Sequence, residues 1–268
     1  MFQTDVFDMP LSSKPEIYES NRSGLPSEKI ISGGLADLLV SVRDQGELLE
    51  VRKSAVRIID LKEPRRGPLA PADASLWQFA DELWRDSSGQ AEGLLSAALG
   101  EQDQARKVAA SLPESFAFAK VGPSDCETEA SLIALWDEIR LALRDSTELV
   151  AVAYADWKSA NCPPPDAIFR LASEHGFKRC LIDTYQKDGR STVDHLGYST
   201  LNKLHQVARQ QGLWWTLAGS IRRPVVDELQ ALGWMPDCFG VRGDVCSGTR
   251  TTRISHDLVQ AWCQRLVV

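Results

Sequence analysis

From residue 36 onward, short runs of apolar residues alternate with segments whose apolar positions recur at i, i+3 and i+4. The runs are Asp37–Val42, Val56–Leu61, Gly93–Ala98, Phe116–Val121, Leu149–Tyr154, Arg179–Thr184, Leu213–Ala218 and Cys238–Val241. They are nearly continuous in apolar character, as strands buried on both faces are. Between them, Leu132, Leu135, Trp136, Ile139 and Leu143 form the clearest helical stripe. Leu76, Phe79 and Leu83 form another, with Asp73 placed to cap it, and Ile168, Leu171 and Ala172 follow Asp166. Leu201, Leu204 and Ala208 follow Ser199, and Leu258, Ala261 and Trp262 follow Ser255. Weaker helical patterns cover 44–54, 101–110 and 224–232.

Eight strand–helix units predict an α/β fold, a (β/α)8 TIM barrel over 36–268. The competing architecture, an open doubly wound sheet, usually has fewer strands, and no G-x-G-x-x-G follows the first run here. Residues 1–35 are polar with no sustained period and read as a short irregular N-terminal extension.

Composition narrows the class. The chain has 268 residues, 43% apolar and 25% charged, in the ordinary range for a globular protein. No run approaches the ~18 apolar residues of a membrane span, and the N-terminus lacks a signal-peptide pattern, so no membrane partner is expected. A net charge of −7 argues against nucleic acid as a partner. Six cysteines without a C-x-x-C pair suit a reducing cytoplasm, and four dispersed histidines offer no metal site.

In a barrel, chemistry gathers at the C-terminal strand ends. Strand 2 ends in Asp60 and Lys62, two positions apart and so on the same side. Strand 4 ends in Lys120, strand 5 in Tyr154 and Asp156, and strand 6 in Asp183 followed by Lys187. After strands 7 and 8, where such barrels commonly bind phosphate, stand Gly219 and Ser220, then Arg242 and Gly243. The Arg242 guanidinium is expected to pair with phosphate oxygens. Crowded, partly buried ammonium groups lower one another's pKa, so that one becomes a neutral nucleophile. The implied chemistry is imine formation with a phosphorylated aldehyde or ketone, with Asp60 and Asp183 carrying protons or orienting amines.

These strand ends resemble one family. "LLVSVRD" (38–44), "IIDLKEPRRGPL" (58–69), "AKVG" (119–122), "YAD" (154–156), "LIDTYQKDG" (181–189), "LAGSI" (217–221) and "GVRGDVC" (240–246) stand in the order and spacing of the (5-formylfuran-3-yl)methyl phosphate synthases. These are also called 4-(hydroxymethyl)-2-furancarboxaldehyde-phosphate synthases. The resemblance covers about 38–265. It implies a cytoplasmic barrel lyase, acting on carbon–oxygen bonds of phosphates, that condenses two glyceraldehyde 3-phosphate molecules into a phosphorylated furan aldehyde. One phosphate and water are lost, without metal or organic cofactor, and the product feeds methanofuran-type one-carbon carriers. It implies that Lys62 is the Schiff-base residue and Lys120 the proton acceptor, with Asp183 and Lys187 as the further acid and amine. Departures from the family pattern are Glu63 in place of Asn, Gly67–Pro71 in place of "GSLGA", Ala153 in place of Gly, and Asp244 in place of a small residue. Two other functions fit the same residues: a Schiff-base aldolase that stops after carbon–carbon bond formation, and a non-catalytic sugar-phosphate-binding barrel. Barrels of this kind commonly assemble through their outer helices, so a homo-oligomer is expected.

Overall fold

The structure, a computed structural model, describes residues 35–86 and 93–266; the extension expected over 1–35 falls almost wholly outside them. Eight parallel strands close into a barrel in sequence order. They are β1 (Asp37–Val42), β2 (Ile58–Leu61), β3 (Leu94–Glu101), β4 (Phe116–Gly122), β5 (Glu148–Tyr154), β6 (Arg179–Asp183), β7 (Trp214–Leu217) and β8 (Cys238–Val241). Each is followed by a helix: α1 (Gln45–Val51), α2 (Ala74–Asp86), α3 (Gln102–Val108), α4 (Glu129–Ala142), α5 (Pro165–Glu174), α6 (Thr192–Gln211), α7 (Pro224–Ala231) and α8 (His256–Leu266). The barrel expected from the alternating pattern is therefore the fold observed. No helix among the described residues is long and apolar enough to cross a membrane.

The strand period of two sorts side chains into two cores. Along β5, Val150, Val152 and Tyr154 belong to an inner cluster with Leu39, Phe118 and Leu181. Leu149, Ala151 and Ala153 belong to the outer cluster, packed beneath the helices with Trp136, Ile168 and Trp215. This explains why the runs are apolar throughout: both faces are buried. Each fully buried Leu, Ile or Phe contributes about 1.5–3 kcal/mol relative to exposure.

Two element boundaries differ from the sequence pattern. The β3 strand runs on to Glu101, where a helix was expected to begin, because an irregularity in the β3–β4 register between Ala98 and Glu101 prolongs the pairing. Helix α6 starts at Thr192 rather than after Ser199. Its start is held by a capping box: the Ser191 hydroxyl accepts from the Asp194 amide, and the Asp194 carboxylate accepts from the Ser191 amide at 2.7 Å. Gly197, at φ 69 and ψ 158, breaks the helix, so the stripe from Leu201 begins a second segment.

The start of α6 is fastened to the end of β7. The Thr192 hydroxyl donates to the Ala218 carbonyl at 2.7 Å, and the Thr192 amide donates to the Gly219 carbonyl at 2.9 Å. Gly219 has φ +84, and a Cβ there would collide with the Thr192 hydroxyl and lie 2.8 Å from the Thr184 amide nitrogen. Only glycine allows this approach. Gly219→Ala is therefore expected to lower folding stability by more than about 1 kcal/mol. Urea denaturation checks this; an unchanged midpoint would mean that the turn relaxes freely.

Candidate active site

The C-terminal mouth of the barrel encloses a cavity of about 700 Å³, lined by Asp60, Lys62, Lys120, Asp183 and Lys187 together with residues of the loops after β7 and β8. Asp60 and Lys62 both face it, as their two-residue spacing on β2 requires. The Lys62 backbone is fixed on both sides: its amide donates to the Val42 carbonyl at 3.0 Å, and it bridges to Pro71.

Two carboxylates divide three amines. Lys120 Nζ lies 2.5 Å from Asp60 Oδ1, and the Ser41 hydroxyl donates to Asp60 Oδ2 at 3.0 Å. Lys187 Nζ donates to Asp183 Oδ1 at 2.7 Å and to the Thr184 hydroxyl at 2.9 Å. Lys62 has no contact of that quality; its Nζ stands 3.8 Å from Asp183 Oδ2. It is only 7% exposed.

The electrostatic outcome follows. Burial lowers the Lys62 pKa to about 8; Asp183 and Asp60 oppose the shift, while Lys187 and Lys120 add to it. Burial alone would raise Asp183, but Lys187 and Lys62, with hydrogen bonds from Lys187 and the Thr184 amide, hold it well below the usual carboxylate range. The arrangement thus keeps a buried carboxylate ionised beside an amine that sheds its proton near neutrality. Among the described residues, no group of three or more His, Cys, Asp or Glu side chains is placed to share a metal ion.

Gly219, Ser220 and Gly243 line the same cavity. Arg242 does too, but its guanidinium does not offer a free fork to a ligand. It donates to both carboxylate oxygens of Glu47, at 2.7 and 3.1 Å, to the Ser41 carbonyl at 2.8 Å and to the Arg250 carbonyl at 2.8 Å. Where a phosphate clamp was expected at Arg242, the buried Glu47 carboxylate on α1 occupies the fork in this structure.

The profile of the 4-HFC-P synthase family matches residues 38–263. The chain belongs to this family. A (5-formylfuran-3-yl)methyl phosphate synthase of Methanosarcina acetivorans is 33% identical over 242 residues, covering 85% of this chain and 99% of the relative. The Methanosarcina barkeri protein of the same name is 31% identical over 242 residues, with the same coverage of 85% and 99%. Among solved structures, the putative copper homeostasis protein CutC from Streptococcus agalactiae superposes with a TM-score of 0.56 at 10% identity, covering 76% of this chain and 98% of that one. That likeness is one of fold alone.

In this 4-HFC-P synthase family member, two departures from the family pattern have local partners. The Glu63 carboxylate accepts from the Arg65 amide at 2.9 Å. Asp244 accepts from Arg223 Nε at 3.1 Å and from Trp262 Nε1 at 2.9 Å, so its charge is offset by Arg223 instead of confronting an anion unpaired.

Tyr154 and Asp156, also expected near the site, do not line the cavity. The Tyr154 hydroxyl donates to Glu101 Oε1 at 2.5 Å, and Glu101 Oε2 accepts from the Ser124 hydroxyl at 2.7 Å. Burial, then the Glu101 carboxylate, pushes the Tyr154 pKa well above its ordinary value. Asp156 accepts from the Tyr185 and Gln186 amides at 2.7 and 2.8 Å, shaping the loop that carries Lys187. Ser41, Glu47 and Glu101 were not singled out from sequence. Ser41 left a signal as a polar residue at an inward position of "LLVSVRD", and Glu47 left one as a carboxylate beside the buried Leu48 and Val51.

Two stability effects follow. Glu47→Ala strands a buried guanidinium and is expected to cost about 3 kcal/mol or more in urea denaturation; a loss below about 1 kcal/mol would mean that Arg242 finds water. Lys62 acts in the opposite sense. Between about pH 8 and its unfolded value near 10.5, the unfolded chain holds a proton that the folded one lacks, so rising pH favours the fold there. Lys62→Met removes a penalty of roughly 3 kcal/mol. The variant is expected to match or exceed the parent in stability below pH 8, with the advantage shrinking toward pH 10.5. Paired denaturation curves at pH 7 and 10 check the sign.

Proposed function

We propose that this chain condenses two glyceraldehyde 3-phosphate molecules into (5-formylfuran-3-yl)methyl phosphate through an imine on Lys62. The carrying observation is the odd amine: three lysines face two carboxylates in one buried mouth, and the lysine without a close partner has a pKa of about 8. At pH 7 about a tenth of that amine is neutral, against roughly 0.03% of an ordinary lysine. The gain in nucleophile is on the order of 300-fold.

The neutral Lys62 attacks the carbonyl carbon of the first substrate and water departs to leave the imine. Protonated, the imine draws electrons from the adjacent carbon; Lys120, having passed one of its own protons to the Asp60 carboxylate 2.5 Å away, accepts that carbon's proton. The resulting nucleophilic carbon adds to the carbonyl of the second molecule. Lys187, bound to Asp183, supplies and receives protons as phosphate and water leave, the ring closes, and cleavage of the carbon–nitrogen bond returns Lys62 as the free amine. The relatives' printed names and the family match support this product over that of a simple aldolase, and the loops after β7 and β8 offer Gly219, Ser220 and Gly243 as backbone surface for a phosphate.

The test is direct. Pure protein with glyceraldehyde 3-phosphate is expected to produce ultraviolet furan absorbance and inorganic phosphate together. Borohydride is expected to trap an adduct on Lys62, absent in Lys62→Ala. Because the neutral amine is the nucleophile, the trapping rate should rise with pH through about 8 and level off above it. An adduct without furan or phosphate release would make the protein an aldolase; binding without any adduct would make it a sugar-phosphate-binding barrel.

A further inference from the structure

Most cations of the cavity are already engaged. Lys120 and Lys187 hold Asp60 and Asp183, Arg223 holds Asp244, and Arg242 holds Glu47. Apart from Lys62, two lining cations, Arg222 and Arg250, make no side-chain hydrogen bond or ion pair among the described residues. Arg222 is exposed and free to be solvated. Arg250 is half-buried, and a guanidinium withdrawn from water without an anion is costly.

The backbone around Arg250 is fixed by the residue first expected to bind the ligand. Arg242 donates to the Arg250 carbonyl at 2.8 Å and to the Thr252 carbonyl at 3.4 Å, and Arg43 donates to the Thr251 carbonyl. Both arginines are held in turn by Glu47. Three successive carbonyls are thus tied down while the Arg250 side chain is left open to the cavity. Gly243 abuts it: a Cβ built there would lie 3.8 Å from Arg250 Cβ. Asp183, at the amine centre, is the carboxylate whose field acts most on Arg250, yet its oxygens are already engaged by Lys187 and approached by Lys62. Arg250 therefore lines the cavity shared with the amine centre, with its donors unspent among the described residues.

We infer that Arg250 is the side chain that binds a substrate phosphate, with Arg242 as the positioning residue that holds its loop. The inference rests on the proposed reading of the substrate as a phosphorylated aldehyde. A planar fork with two parallel N–H donors matches two phosphate oxygens, and it keeps its charge when half-buried because its ordinary pKa exceeds 12.

The test compares the wild type with Arg250→Met, Arg250→Lys and Arg222→Met. Borohydride trapping is run on glyceraldehyde 3-phosphate and on unphosphorylated glyceraldehyde, and thermal unfolding is followed with and without inorganic phosphate. Arg250→Met is expected to reduce the preference for the phosphorylated aldehyde at least tenfold and to abolish the phosphate-induced rise in Tm. Arg250→Lys should restore part of both, and Arg222→Met should change each less than twofold. Undiminished preference and an intact phosphate shift in Arg250→Met would overturn the assignment. If the wild type forms no adduct with either aldehyde, the imine reading fails, and the phosphate shift alone still decides Arg250: its loss in Arg250→Met sustains the assignment, and its persistence ends it.

Discussion

Charge stoichiometry inside the barrel mouth governs the rest of the site. Asp60 and Asp183 can each neutralise one ammonium, and they do so with Lys120 and Lys187 at 2.5 and 2.7 Å. The third amine, on Lys62, is left over. A lone ammonium 7% exposed in such a place is less stable than it would be in water, so burial alone brings about a tenth of it to the free amine at pH 7 without any dedicated base. A third carboxylate at contact distance would remove this property, since it would hold Lys62 charged. The absence of a close partner for Lys62 is therefore as much a part of the chemistry as the lysine itself.

The same principle sets the surroundings in order. Glu47 and Arg242 form a buried pair whose desolvation is compensated only because every donor of the fork has an acceptor. One of these acceptors is the Ser41 carbonyl, and the Ser41 hydroxyl donates to Asp60. A continuous path of hydrogen bonds thus runs from α1 through the end of β8 to β1 and the carboxylate that orients Lys120. Its function is geometric: it fixes the angle at which Asp60 meets the amine. Asp156 does similar work across the barrel, where its two oxygens hold consecutive amides just before Lys187.

The legibility of each feature in the sequence depends on the range of the interaction behind it. The strands could be read because both their faces are buried, which leaves continuous apolar runs. Asp60 and Lys62 share a side by the two-residue period, and Asp183 and Lys187 meet four residues apart; both are local facts. The pairing of Lys120 with Asp60 required the barrel to close, so it was readable only through the fold. The pairing of Arg242 with Glu47 was not legible because the two lie 195 residues apart, and no local pattern distinguishes a guanidinium aimed at phosphate from one aimed at a carboxylate. The start of α6 escaped because a polar capping box, rather than an apolar stripe, holds its first turn. Glu101 escaped because the chain at the end of β3 continues its pairing instead of entering the helix.

A chain with net charge −7 should on average repel a phosphorylated metabolite. The mouth of this barrel reverses the sign: seven cationic side chains and three carboxylates line the cavity. Exposed charges farther away than about 8 Å are largely screened at physiological ionic strength, so an anion at the mouth responds to this local excess rather than to the acidic exterior. Within the excess, the cations differ in what they are free to do. Those tied to Asp60, Asp183, Asp244 and Glu47 set geometry, and their charge is already spent on protein oxygens. With Lys62 held apart as the amine of lowered pKa, two arginines remain without a side-chain partner among the described residues, and the exposed Arg222 is solvated by water. Of these, the half-buried Arg250 stands where water competes least, and there a guanidinium–phosphate contact is strongest.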